Sequence, residues 1–242
     1  MRKWIVTKDY HEMSQKAAKE VSHKIKEQPN LVLGLSTGGT PVGTYQTFIE
    51  LHKESDLDFS RVTTFNLDEY VGLSEDHPQS YTYYMWNNLF SEVNIDKNNI
   101  HIPSGIFEDE NQVLREYDQK LAEAGSIDVM ILGIGGNGHI GFNEPNEELK
   151  AGTHIASLTE ETIQANARFF QDINEVPKQA VAMGVGDILQ SKEIILIASG
   201  KEKAESIRAT FNGKITLQHP SSLLQLHNNV TIIIDEEAAS LL

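Results

Sequence analysis

The sequence lacks cysteine, long hydrophobic runs and an excess of positive charge. None of its 242 residues is a cysteine, which excludes disulfides, thiolate catalysis and cysteine-ligated metals. No apolar stretch approaches membrane-spanning length, and residues 1–9 contain no signal-peptide core. With 35 acidic and 20 basic residues, the formal net charge of −15 disfavours non-specific nucleic-acid binding. We therefore expect a cytoplasmic protein with neither a membrane nor a nucleic-acid partner.

The remaining composition, 39% hydrophobic and 23% charged, is typical of a globular chain. Because no linker, low-complexity run or repeat interrupts it, we expect a single domain over residues 1–242. Strand-like and helix-like segments alternate, which predicts a doubly wound α/β fold: a mostly parallel sheet with helices on both faces, as in a Rossmann-like three-layer sandwich. The predicted strands are 31–35, 62–66, 127–132, 154–158, 194–198 and 230–234, and the predicted helices include 10–25, 41–49, 79–90, 113–121, 160–169 and 201–211.

The most informative segment is 133–145, a glycine-rich loop directly after the predicted strand 127–132. Its glycines allow sharp turns and the close approach of a ligand. Histidine can carry protons in both directions near neutral pH, so His139 and Glu144 are candidates for acid–base chemistry. Loops at strand ends of an α/β sheet are common binding sites. The alternative is a structural turn with a solvated histidine.

The same loop matches a dinucleotide-binding fingerprint through Gly133, Gly135 and Gly138. That fingerprint requires a helix to begin at the third glycine, whereas Gly141 and Pro145 interrupt the following residues. We interpret the match as coincidental.

A second candidate site is the turn 36–41, between a predicted strand and a predicted helix. Its glycines permit close backbone approach, and free N–H groups at a helix start attract anions. No Gly-Lys-Ser/Thr follows, so the phosphate of a small molecule fits better than a nucleoside triphosphate. A plain N-capping turn is the alternative. The predicted phosphate-binding residues here are Thr37, Gly38, Gly39 and Thr40.

Two adjacent carboxylates, Asp68 and Glu69, follow the predicted strand 62–66. Carboxylates at a buried strand end are costly unless they are solvated, paired or used. Because no second metal-ligating side chain is evident nearby, we predict no metal and interpret Asp68 as a general base. Capping of a helix by Asp68 is an open alternative.

Two cations, Arg168 and Lys203, lie near predicted strand ends and could complete a phosphate site, although single basic residues are often solvated surface charges. An anion site, a carboxylate base and a histidine together suggest proton transfer on a sugar phosphate. No redox-cofactor motif is present, so we predict no cofactor.

With these segments identified, the chain resembles the glucosamine-6-phosphate deaminase family over nearly its whole length. Four ordered motifs carry the resemblance: LGLSTGGTP at 33–41, FNLDEYVGL at 65–73, NGHIGFNEP at 137–145 and VPK at 176–178. The resemblance implies conversion of D-glucosamine 6-phosphate and water to D-fructose 6-phosphate and ammonia, in amino-sugar catabolism, without a cofactor or catalytic metal.

The family also implies roles for individual residues. His139 would open the pyranose ring by moving a proton between O1 and O5, with Glu144 as its charge-stabilising partner. Asp68 would take the C2 proton and return it at C1. The phosphate would bind to the turn 37–40 together with Arg168 and Lys203.

Two departures from the family pattern affect what we expect. Many members carry aspartate where this chain has Asn137; an amide cannot be a counter-ion but can still orient His139, so we expect activity to be retained. Members activated by N-acetylglucosamine 6-phosphate bind it with serines and basic residues just after the Asn-Glu-Pro motif, where this chain has acidic and neutral residues. Since carboxylates repel phosphate, we expect unregulated, hyperbolic kinetics and a monomer or weak homo-oligomer. The positions concerned are Glu147, Glu148, His154 and Ala156.

Two alternative functions remain open. A 6-phosphogluconolactonase would need a similar phosphate site, and a non-catalytic sugar-phosphate-binding regulator would keep the fold without turnover. The second and third motifs favour the deaminase. The chain also keeps its proton-transfer residues and carries no DNA-binding segment.

Overall fold

The computed structural model describes residues 2–55 and 57–242. The described strands and helices alternate along most of the chain. The strands are β1 (Arg2–Thr7), β2 (Val32–Leu35), β3 (Thr63–Asn66), β4 (Asp68–Tyr70), β5 (Ile100–His101), β6 (Val129–Leu132), β7 (His154–Ser157), β8 (Gln179–Ala182), β9 (Glu193–Ala198) and β10 (Val230–Asp235). The helices are α1 (Tyr10–Glu27), α2 (Val42–Ser55), α3 (Tyr81–Asn88), α4 (Glu110–Ala124), α5 (Glu160–Asn166), α6 (Val185–Leu189) and α7 (Ala204–Asn212).

Seven strands form one parallel sheet in the spatial order β1, β10, β9, β6, β2, β3, β5. Every residue of β6 and β10 is buried, as expected for a parallel sheet covered on both faces. Alternate residues of β6 enter opposite cores: Ile131 packs with α1, α2 and α3, and Met130 with α4 and α7. The predicted doubly wound α/β sandwich is confirmed.

A second, antiparallel sheet in the order β4, β8, β7 lies beside the first and was not predicted. Strand β4 begins one residue after β3, so the chain passes directly from one sheet to the other. Asp68 is paired with Ala182 in this sheet, and the alternative that it caps a helix is wrong. A separate apolar cluster that includes Tyr70, Phe142 and Ile163 packs around this sheet.

The other differences are at element ends and edges. The predicted helix 160–169 divides into α5 and a 3-10 turn at Ala167–Phe169, and the predicted helix 201–211 begins with a 3-10 turn at Lys201–Lys203. The outer strands β1 and β5 and the short helix α6 were missed. Within the described ranges, no helix combines the length and the hydrophobicity needed to cross a membrane.

Candidate active site

A cavity of about 380 Å³ opens at the carboxyl ends of the parallel strands. Its wall includes Asp68, His139 and every residue predicted to bind phosphate. The loops after β2, β3, β6 and β9 supply much of this wall, and residues of α1, β4, α3, α5 and the turn after α5 complete it. Sequence segments that are far apart along the chain, from Tyr10 to Lys203, therefore meet at one site, as expected for a doubly wound sheet. The predicted phosphate-binding residues on the wall are Thr37, Gly38, Gly39, Thr40, Arg168 and Lys203.

The two adjacent carboxylates separate because β4 is a strand, in which successive side chains point to opposite faces. Glu69 accepts hydrogen bonds from the backbone N–H groups of Tyr81 at 2.8 Å and Thr82 at 2.9 Å, and so fixes the start of α3. Asp68 lines the cavity, although only 5% of its surface is exposed. Burial raises the pKa of Asp68 to about 8; the charge of Glu69 adds to this rise, and the backbone N–H of Phe142 opposes it.

Behind the cavity wall, Glu144 and Asn137 hold His139. The His139 Nδ1 atom lies 3.4 Å from Oε2 of Glu144. The Asn137 amide donates to the same oxygen at 2.8 Å, while its carbonyl accepts the backbone N–H of His139 at 3.1 Å. Burial opposes ionisation of Glu144, but hydrogen bonds from His139, Thr162 and Asn137 and the attraction of His139 hold its pKa below the usual value. The arrangement provides an ionised partner for the imidazole.

The backbone of Gly135 supports the His139 ring. A β-carbon built on Gly135 would overlap the imidazole, so only glycine allows the ring to lie there. The Gly135 N–H also donates to the His139 carbonyl at 2.9 Å. No helix starts within the loop, since the next element after β6 is β7, and the dinucleotide fingerprint is indeed coincidental.

At the turn 37–40, two tyrosine hydroxyl groups donate hydrogen bonds to backbone carbonyls. Tyr84 donates to the Gly38 carbonyl at 2.7 Å, and Tyr10 donates to the Gly39 carbonyl at 3.2 Å. The turn immediately precedes α2, and the start of a helix favours an anion. Because the Gly43 N–H at this helix start donates to the Tyr10 hydroxyl at 2.8 Å, the N–H groups of the turn itself are the candidate donors to a phosphate.

Arg168 and Lys203 lie on the wall of the same cavity, and Arg168 lies beside the turn, since a β-carbon built on Gly39 would be 3.9 Å from its guanidinium. The Arg168 guanidinium stacks 4.8 Å from the ring centre of Phe169, in the turn that ends α5; our placement of Arg168 at a strand end was wrong. The Lys203 ammonium donates to the Ile134 carbonyl at 2.8 Å. Burial lowers the pKa of Lys203, and the charge of Arg168 adds to this; Glu202 and Glu161 act in the opposite direction.

Tyr81 and Thr162 contribute to the site but were not among the predicted site residues. Tyr81 lines the cavity and stacks on Phe142 with ring centres 6.0 Å apart. Tyr83, by contrast, is 41% exposed. The Thr162 hydroxyl lies 3.4 Å from Nδ1 of His139. The spacing of the tyrosines in α3 could have indicated that they act together, because Tyr81 and Tyr84 are three residues apart and share a helix face.

The fold is that of a known class of sugar-phosphate enzymes. A 6-phosphogluconolactonase from Trypanosoma brucei matches with a TM-score of 0.76 over 100% of this chain and 99% of that one, at 19% identity, which shows the fold alone. The chain belongs to the glucosamine-6-phosphate isomerase/6-phosphogluconolactonase family, whose sequence profile matches residues 8–233.

Two proteins that are more similar to this chain are both named glucosamine-6-phosphate deaminase. A glucosamine-6-phosphate deaminase of Thermoanaerobacter sp. (strain X514) is 56% identical over 99% of this chain and 95% of its own length. A solved monomeric glucosamine-6-phosphate deaminase has a TM-score of 0.97 and 48% identity, covering 99% of this chain and 100% of that chain. The resemblance seen in the sequence motifs is therefore confirmed.

Proposed function

We propose that this protein converts D-glucosamine 6-phosphate and water to D-fructose 6-phosphate and ammonia. The proposal rests on one geometrical fact: Asp68 and His139 line the same cavity as the turn 37–40, Arg168 and Lys203. A 6-phosphate held by the last three would bring the sugar ring within this cavity, where the carboxylate and the imidazole can reach it. The names of relatives that are 48% and 56% identical over almost the whole chain support the same reaction.

In the first step, the His139 imidazole takes the O1 proton and delivers a proton to O5 as the ring C1–O5 bond breaks. The imidazolium formed in between is stabilised by Glu144, 3.4 Å from Nδ1. Asn137 keeps the pair aligned through its contacts to both residues. The product is the open-chain aldehyde.

In the second step, Asp68 removes the C2 proton while the aldehyde oxygen O1 gains a proton, which gives an enolamine. Asp68 then returns its proton to C1 as the nitrogen gives one up. C1 becomes a hydroxymethyl group and the C2 amine becomes an imine. Water adds to the imine carbon, the C–N bond of the resulting carbinolamine breaks, and ammonia leaves as the ketone forms. Asp68 must be ionised to act as a base, and the ammonium group of the arriving substrate favours that form because it is an opposite charge beside C2.

We further propose that one domain carries this whole site, that it works as a monomer or weak homo-oligomer, and that it acts in cytoplasmic N-acetylglucosamine degradation. All proposed site residues come from segments between residues 37 and 203, within the matched family region. The solved relative described as monomeric supports the small assembly.

Ammonia release from D-glucosamine 6-phosphate tests the proposed reaction. The wild type should be active, and Asp68→Asn should be slower by about 10²–10⁴ if its task is proton transfer. Glu148→Gln is a suitable control, since that side chain is 78% exposed and carries no proposed role in the cavity. Hydrolysis of 6-phosphogluconolactone without ammonia release would favour the lactonase. Binding of the sugar phosphate without turnover would favour the regulator.

A further inference from the structure

Helix α7 contacts the glycine-rich loop through a buried serine that lies outside the cavity wall. Ser206 is 2% exposed and lies one turn after Lys203. Its hydroxyl lies 2.9 Å from the Gly135 carbonyl and 2.6 Å from the Gly136 carbonyl. A hydroxyl has one proton, so it donates to these two acceptors in a shared or alternating manner. The link is between α7 and the peptide that supports the imidazole.

The Gly135 peptide is in contact with both side chains. Its carbonyl accepts from Ser206, and its α-carbon lies against the His139 ring so closely that a β-carbon would overlap it. Displacement of this peptide must therefore displace the ring. Since a misplacement of about 1 Å can cost about 10²-fold in rate, small shifts of this peptide matter for proton transfer.

Ser206 is itself held from the other side by the turn around His219. The His219 Nε2 atom lies 3.1 Å from the Ser206 carbonyl and 3.1 Å from the Thr210 hydroxyl. The backbone N–H of Ser221 donates to the Gly138 carbonyl at 2.8 Å. The loop is thus attached to the C-terminal part of the chain at two places, one on each side of Asn137.

The start of α7 joins these contacts to the phosphate end of the cavity. Lys203, which lines the cavity, donates to the Ile134 carbonyl, and Ser206 donates to the next two carbonyls along the loop. One helical turn therefore touches three consecutive peptides that lead to His139. Ser206 does not line the cavity, so its influence on the reaction has to pass through the loop backbone.

We propose that Ser206 is a positioning residue for His139, acting through the Gly135–Gly136 backbone of the loop. This inference rests on the proposed function for its effect on rate, but not for its effect on the imidazole, which can be observed without turnover. Loss of the hydroxyl removes the Ser206 donor from the Gly136 carbonyl and leaves the Gly135 carbonyl with the Gly138 N–H, at 3.1 Å. The peptide on which the ring lies then loses its connection to α7.

The test compares Ser206→Ala with Ser22→Ala. Ser22 is also a buried helical serine, 4% exposed, whose hydroxyl donates to the Ala18 carbonyl far from the loop. Ser206→Cys, which keeps a weak donor, should lie between Ser206→Ala and wild type. The melting temperature of each variant shows how much of any change is a general loss of stability.

Two measurements decide the outcome. Imidazole NMR signals, with that of His139 assigned by its loss in His139→Gln, should shift or broaden in Ser206→Ala and not in Ser22→Ala. The kcat for ammonia release should fall about 10–100-fold in Ser206→Ala, while the affinity for 2-amino-2-deoxy-D-glucitol 6-phosphate, an open-chain probe that needs no ring opening, stays within twofold. An unchanged His139 signal in Ser206→Ala overturns the inference, as does a kcat equal to that of Ser22→Ala. If wild type releases no ammonia, the proposed function fails, and the His139 signal alone still decides the positioning role.

Discussion

Asp68 should release a proton when a ligand carrying an amine at C2 enters the cavity. Its carboxyl is buried beside the charge of Glu69, and these two effects raise its pKa to about 8. At pH 7 roughly nine in ten molecules therefore carry the proton. A general base in that state is inactive, so the substrate itself has to promote its ionisation.

The size of the effect follows from the change in surrounding charge. An opposite charge within ~4–6 Å lowers a carboxyl pKa by about 1–3 units. For Asp68 this brings the pKa to roughly 5–7, and the site then releases about 0.4–0.9 proton per ligand bound at pH 7. A ligand with a hydroxyl at C2 brings no such charge and should release almost none from Asp68.

Calorimetric titration in two buffers of different ionisation enthalpy measures this proton count directly. The matched ligands are 2-amino-2-deoxy-D-glucitol 6-phosphate and D-glucitol 6-phosphate, which share the phosphate and the open chain and cannot turn over. Any proton taken up or released by the phosphate cancels in the difference between them. The difference should disappear in Asp68→Asn, whose amide does not titrate. Equal proton release for the two ligands with wild type, or a difference that survives in Asp68→Asn, would refute the reasoning.

Three further predictions concern the His139 loop and its kinetics. Gly135→Ala should lower kcat by about 10²-fold because the new methyl group displaces the imidazole, and Gly152→Ala, outside the cavity, should not; equal rates would contradict this. Asn137→Asp places a carboxylate against Glu144 in place of a donor, and should displace a limb of the pH–rate profile; an unmoved profile would count against the proposed alignment. Rates should depend hyperbolically on substrate and be insensitive to N-acetylglucosamine 6-phosphate, so sigmoidal rates relieved by that compound would show regulation.

The parallel sheet and the site segments could be predicted because their signals are local. Strands such as β6 and β10 are apolar on both faces, and the site segments 36–41 and 133–145 are glycine-rich turns at strand ends. The outer strand β1 gave no such signal, since most of its residues are exposed or half-buried. Strand β5 is only two residues long. Elements of this kind form because a neighbouring strand is already present.

Long-range contacts account for the site residues that were missed. Thr162 and Ser206 are ordinary polar residues at helix starts, and each reaches the His139 loop only after distant segments pack together. Capping or solvent exposure would explain the same residues equally well from sequence alone. Thr162 and Ser206 differ from other polar residues at helix starts because their hydroxyl groups contact the His139 loop, and no local sequence pattern encodes such a contact.

The adjacent carboxylates Asp68 and Glu69 show how a contact between distant segments determines which of two acidic residues faces the cavity. Pairing of β4 with β8, more than 100 residues away, makes this segment a strand and turns its two carboxylates to opposite sides. Glu69 then meets the N–H groups at the start of α3, which offset part of the burial that raises its pKa. Asp68 meets the cavity with the backbone N–H of Phe142 as its counterpart, and its pKa rises. A helix at this position would have placed both acids near the same helix terminus, where each could stay ionised without a ligand. The antiparallel sheet is therefore what gives Glu69 several N–H donors, leaves Asp68 with that of Phe142, and makes Asp68 the carboxylate that the amine of a substrate can reach.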